Sequence, residues 1–157
     1  VKYIYIYSMS KKQWGNITWW FFHTLAYRLK PEGNWIVPIL FGYMKEISRY
    51  LPCPDCAEHA TRMWNSCKIP VRTKDDLIIV LFQGHNVVNK RLNKPEFTIE
   101  QHDLLYKNAN INKIINNFIK IMNSDLSVDK RLMMNFHRKR TIKEFINFLY
   151  KHKYYFS

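Results

Sequence analysis

The stretch LPCPDCAEH, Leu51 to His59, decides how this chain folds, because what precedes its two cysteines separates a sheet from a bundle. A Cys-x-x-Cys pair that follows a strand suits a thioredoxin-like parallel sheet, and one that follows a helix does not. Here Trp35 to Leu51 carries Ile36, Ile39, Leu40, Tyr43, Ile47 and Tyr50 at three- and four-residue spacing, the period of a core helix. Pro38 is tolerable near its first turn, Pro52 stops it, and Pro54 pre-sets a third helix from about Cys53 to Asn65. Cys53 and Cys56 then lie at a helix start, where unpaired N–H groups favour a thiolate and a small disulfide can close. By itself the spacing suits a redox pair and a zinc site equally.

Upstream, GNITWWFFHTLAYRL (Gly15 to Leu29) has no internal breaker and repeats Trp19, Phe22, Ala26 and Leu29 at helical spacing. Trp19, His23 and Tyr27 are four apart and share a face. A histidine on such a face is more often packed than functional. Pro31, Gly33 and Asn34 end this helix. Downstream, Thr73 and Asp76 form a capping box that opens a helix through LIIVLFQGHNVVNKRL. Its stripe of His85, Asn89 and Leu92, with Val88 beside it, mixes hydrogen-bonding groups with apolar ones. Buried amides and imidazoles need partners, and a polar ligand supplies them. Lys90, Arg91 and Lys94 follow at the end where cations suit the dipole and can reach a phosphate.

Thr98 and Gln101 cap a short helix through Tyr106; Ile111, Ile114, Ile115, Phe118 and Met122 form one more stripe. Leu132, Met133 and Phe136 suggest another helix, and Thr141 with Glu144 caps a last one. No segment reads as a strand, so the fold class is all-α.

At 157 residues with 47% apolar content the chain can build one domain, or one domain plus a helical appendage. Its ten Tyr, ten Phe and five Trp supply either a core or a stacking surface. A net charge of +13 attracts anionic partners without naming one. Three cysteines are too few for a disulfide scaffold. No apolar run reaches the roughly 18 residues of a membrane span. Val1 to Ser8 makes a poor secretory signal, and Met9 offers itself as a natural start. The cluster Arg138-Lys139-Arg140 reads as a solvated face before a nucleic-acid site.

Three separated motifs together resemble the Erv/ALR family of FAD-linked sulfhydryl oxidases. They are Gly15-x-x-Thr18-Trp19-x-x-Phe22-His23-Thr24-Leu25-Ala26, Cys53-x-x-Cys56-x-x-His59, and His85-Asn86-x-Val88-Asn89-x-x-Leu92-x-Lys94-Pro95. The resemblance implies a four-helix bundle with a short fifth helix over residues 13–108, flanked by a leader (1–12) and a basic C-terminal helical extension (109–157). It implies FAD held non-covalently. Gly15, Thr18, Trp19, Phe22, His23, Tyr27 and His59 would contribute from the first and third helices. His85, Asn86, Val88, Asn89 and Leu92 would line the adenine and ribose side, with Lys90 and Lys94 near the diphosphate.

It further implies that Cys53 meets the dithiol of a substrate protein or thioredoxin-like carrier, that Cys56 faces the flavin, and that oxygen is the acceptor, yielding hydrogen peroxide. A homodimer is expected; a metal, a membrane span and a nucleic-acid partner are not. The chain departs from the pattern in lacking a shuttle cysteine pair, and Phe82 stands where many members place a structural cysteine, which leaves Cys67 unpaired. A form without shuttle or secretory signal is similar to the minimal enzymes of large cytoplasmic DNA viruses, placing it in a host cytoplasm or virion. Two other readings stay open. A zinc module would use Cys53, Cys56, His59 and Cys67, and a basic nucleic-acid-binding helical module would use the C-terminal charge.

Overall fold

Helix α1 (Lys2–Arg28) carries α4, α5 and α6 in the computed structural model, which describes the backbone of residues 2–123 and 132–157 and side chains from 13 to 123 and from 133 onward. A 3-10 turn (Pro31–Ile36) leads into α2 (Val37–Arg49), followed by α3 (Pro54–Ser66), α4 (Lys74–Arg91), α5 (Ile99–Tyr106), α6 (Ile111–Asn123) and α7 (Leu132–Lys151). The fold is all-α, and the described residues contain no strand, only a single bridge pairing Leu29 with Phe156. No helix among them is long and apolar enough to cross a membrane.

Two boundaries differ from the sequence expectation. α1 starts well before Gly15, so residues 2–12, expected to be a separate leader, continue its backbone; no proline interrupts them, and their Ile/Tyr alternation obscures the helical period. The last two expected helices are one, α7, with Thr141 buried in its interior instead of at a cap. No glycine or proline separates Leu132 from Thr141, and Glu144 pairs with Arg140 one turn away at 3.1 Å.

α1 contacts α6, α4 and α5, while α2 is packed between α3 and α7. The centre of the core is Phe21, fully buried, stacked on Phe118 of α6 at 4.0 Å and met edge-on by Phe145 of α7 at 5.3 Å. Phe145 also stacks on Tyr43 of α2 at 4.9 Å. The C-terminal helices therefore cover the α1–α2 face.

Local chemistry sets the element ends. Thr73–Asp76 and Thr98–Gln101 both close complete capping boxes, and Asn34 accepts a further bond from the Lys74 N–H at 2.8 Å. Asn93 ends α4 in the left-handed region (φ 55°), which Asn tolerates better than most residues. Gly84 is needed for contact: a Cβ there would lie 2.5 Å from the Trp64 ring, so only glycine lets α3 lie this close to α4. Trp64 in turn donates to Ser48 Oγ at 3.0 Å, tying α3 to α2.

Since Phe118 has no exposed surface, Phe118→Ala should cost about 3–5 kcal/mol in urea unfolding of the full chain. A loss below about 1 kcal/mol would show that α6 is no part of the core.

Candidate functional site

The i, i+4 stripe of α1 brings Trp19, His23 and Tyr27 against α4 and α5. The Trp19 indole lies parallel to the His85 imidazole, centroids 4.2 Å apart at 6°, and stacks on His23 at 5.3 Å and 15°. His23 and His85 are themselves parallel to 16°, with His23 Nε2 2.9 Å from His85 Nδ1. His102 of α5 meets His23 at 89°, its Nε2 3.0 Å from Nδ1 and 3.3 Å from Nε2. Its Nδ1 is 2.9 Å from the Tyr27 hydroxyl, which donates to the Asp103 carboxylate.

Burial controls the charge of this cluster. His23 and His102 have no exposed surface and His85 very little. Burial pulls His85 down to about 3, helped by His102 and Lys94; it pulls His102 down to about 4 against the opposing pull of Asp103. His23 falls well below the usual imidazole range, through burial first and then its two neighbours. Burial raises the Tyr27 and Tyr106 hydroxyls above the usual phenol range, Tyr27 with help from Asp103. All three imidazoles are therefore neutral at pH 7.

Asn89 is buried one turn beyond His85, and among the described residues its carboxamide makes no hydrogen bond. The Thr24 hydroxyl beside His23 is likewise buried without a partner. Trp64 meets Trp19 edge-on at 6.4 Å and so connects the Cys-x-x-Cys helix to the stack. Cys53 caps α3, its Sγ accepting the Cys56 N–H at 3.3 Å. Cys53 is 6% exposed and Cys56 half-buried, so burial runs against the expected outward placement of Cys53. Cys53 and Cys67 are free thiols, and Cys67 lies 3.8 Å from the Ile69 carbonyl.

The structure thus groups Trp19, His23, Tyr27 and His85, with Phe22 edge-on to Trp19 at 6.3 Å and Asn89 nearby. Lys94 is near enough to bias His85. The other expected residues stand apart. Thr18 donates to the Trp14 carbonyl and approaches Met122 on the α6 side. Asn86 spends both ends of its amide on the Phe97 backbone, at 2.9 and 2.8 Å. Gly15 has open space where a side chain would be. His59, Lys90 and Leu92 are exposed and Val88 is half-buried.

Sequence reasoning missed His102, Asp103, Tyr106 and Trp64. The Thr98–Gln101 capping box locates α5, and a histidine four residues before a tyrosine on so short a helix was the available signal. Among the described residues, His23, His85 and His102 form the only group of metal-ligating side chains, their nitrogens within 4.8 Å of one another. The zinc set of Cys53, Cys56, His59 and Cys67 does not assemble. Trp19, His23 and His85 stack face on face while His102 meets His23 edge-on, so one cluster combines flat aromatic faces with imidazole nitrogens close enough together to hold an ion.

This fold and site define a helical Cys-x-x-Cys protein, distinct from the thioredoxin sheet. The chain belongs to the Erv1 / Alr family, whose pattern matches residues 16–109. It is 31% identical over 93 residues to a protein of Invertebrate iridescent virus 3 named as a FAD-linked sulfhydryl oxidase, covering 57% of this chain and 62% of the relative. It is 32% identical over 97 residues to FAD-linked sulfhydryl oxidase ERV1 of Arabidopsis thaliana (60% and 50%), and 30% identical over 94 residues to its namesake in Oryza sativa subsp. japonica (59% and 48%). The chain thus spans about half to three-fifths of the length of these curated relatives.

Neutral imidazoles in the fold that charge when released give a signed pH effect. Below the ordinary value of 6.5 the unfolded chain takes up protons that the folded chain refuses until about 4 at His102 and about 3 at His85. Stability should therefore decline as pH falls from 7 to 4, and His102→Asn should reduce the slope by about one proton. Urea midpoints measured across that range test this; a flat profile, or an unchanged slope in His102→Asn, would contradict it.

Proposed function

We propose that the chain is a FAD-dependent thiol oxidase that forms disulfide bonds in a dithiol protein or a thioredoxin-like carrier. The observation that carries this reading is the parallel stack of half-buried Trp19 with buried His23 and His85, connected through Trp64 to the helix that opens with Cys53 and Cys56. The residues fit a flavin in kind: flat indole and imidazole faces, imidazole nitrogens that hydrogen-bond, the buried residue Asn89, and the Thr24 hydroxyl, buried and unpartnered among the described residues. Trp19, His23, Tyr27, His85 and Asn89 would hold the ring systems, joined by His102. Lys94, with Lys90 farther out, would approach the diphosphate.

When bound, FAD supplies the electron sink, accepting the pair taken from the thiols and returning it to oxygen as hydrogen peroxide. The protein's own chemistry is thiol–disulfide exchange. A substrate thiolate attacks Cys53 Sγ in the Cys53–Cys56 disulfide, forming a mixed disulfide and releasing Cys56 as the thiolate. The second substrate thiolate attacks the mixed disulfide, so the substrate leaves oxidised and both cysteines are left reduced. Cys56 would be the thiol that faces the cofactor. Since Cys53 is 6% exposed, the first turn of α3 must yield to admit a protein thiol. The homodimer expected from the resemblance has to use a surface other than the α1–α2 face that α6 and α7 cover.

Purified protein should be yellow and consume oxygen with a small dithiol, and Cys53→Ser or Cys56→Ser should each reduce turnover to background. Asn89→Ala should weaken FAD binding about tenfold, the loss of roughly one buried hydrogen bond, read by fluorescence titration of the apoprotein. Colourless protein that FAD does not reconstitute would overturn the reading.

A further inference from the structure

The basic cluster near the C-terminus is not simply a solvated face: Arg138 is 2% exposed and its guanidinium reaches back to the end of α2. It donates from Nη1 to the Tyr50 carbonyl at 3.3 Å and from Nη2 to Asn135 Oδ1 at 2.7 Å. Its neighbour on α7, His137, stacks on the Tyr50 ring at 5.4 Å and 21°. Tyr50 is thus gripped twice, ring and carbonyl, by one turn of α7. A guanidinium stays charged and is costly to bury unless hydrogen-bonded, and the carbonyl end of a helix is where its charge is best compensated.

Tyr50 is the cap of α2, and Cys53 is the cap of α3. Only Leu51 and Pro52 lie between them, and Pro52 has a fixed φ and no N–H. Fixing the Tyr50 carbonyl therefore fixes one end of the short turn from which the Cys53 sulfur projects. Cys56, held by α3, is the other partner of the disulfide. How readily the two sulfurs bond depends on how closely this turn keeps them in register, since a looser tether lowers the effective concentration of one thiol at the other.

We propose that Arg138 and His137 of α7 are positioning residues for the Cys53–Cys56 pair, acting through Tyr50 to hold the α2–α3 turn in the geometry that favours the disulfide. α7 lies outside residues 16–109, the part that matches the family pattern. The inference gives the appended helix a role in the redox site, and it rests on the reading of Cys53–Cys56 as a redox couple.

The test equilibrates the full chain with glutathione, the protein disulfide plus two glutathione thiols giving the protein dithiol plus glutathione disulfide, and reads the thiol fraction by alkylation and mass. R138M should shift this equilibrium toward the dithiol by about five- to tenfold, R138K should recover part of the shift, and H137A should move it about two- to threefold. The exposed neighbour Lys143 supplies the control, and K143M should match wild type. With a small dithiol substrate, R138M should lower kcat more than it raises KM. An R138M equilibrium equal to that of K143M would overturn the proposal. If R138M does not fold, R138K and H137A decide it in the same way, both unchanged being the contrary result. The equilibrium needs no flavin, so failure of the oxidase reading would appear separately, as wild type without bound FAD or oxygen uptake.

Discussion

Keeping three imidazoles uncharged inside a helical bundle is the constraint to which the rest of this structure answers. His23, His85 and His102 come from three helices, so α1, α4 and α5 must all be in place before the cluster exists. Desolvation opposes their protonation, and the Trp19 indole lies parallel to two of them, His23 and His85. The capping box at Thr73 sets where α4 starts, and the box at Thr98, the Asn86 clamp on Phe97 and the left-handed Asn93 fix the segment between α4 and α5. What looks like routine helix chemistry thus sets the spacing of the site.

A second set of contacts decides where the cysteines sit. α3 is fixed by Trp64, which bonds Ser48, packs under Gly84 and reaches Trp19. The turn that presents Cys53 is fixed from the other side, where α7 grips Tyr50. The C-terminal helices are therefore integral: α6 and α7 complete the core at Phe21 and brace the approach to the thiols.

The all-α class, the capped starts of α4 and α5 and the Trp19-His23-Tyr27 stripe were legible in the sequence because each rests on local spacing. The His85–Asn89 stripe was legible for the same reason, polar groups at i and i+4 on an otherwise apolar helix. His102 was not, because its meaning depends on α5 folding back onto α1, a contact between residues 79 apart. Arg138 was misread as solvated since a run of basic residues carries no mark of which one turns inward. Asn86 lies in the motif yet serves the Phe97 backbone, a role visible only once the loop after α4 is placed. The extent of α1 and the unity of α7 were hidden by cap-like or alternating patterns within continuous helices.

The central claim is that the stacked platform holds a flavin in communication with Cys53 and Cys56. An anaerobic titration of the purified protein with a dithiol, followed through the visible flavin absorbance, tests it most directly. The account predicts bleaching in wild type that begins once the disulfide has been reduced, and persistent colour in Cys56→Ser under the same additions. Bleaching at an equal rate in Cys56→Ser, or the absence of any flavin band in wild type, would contradict it.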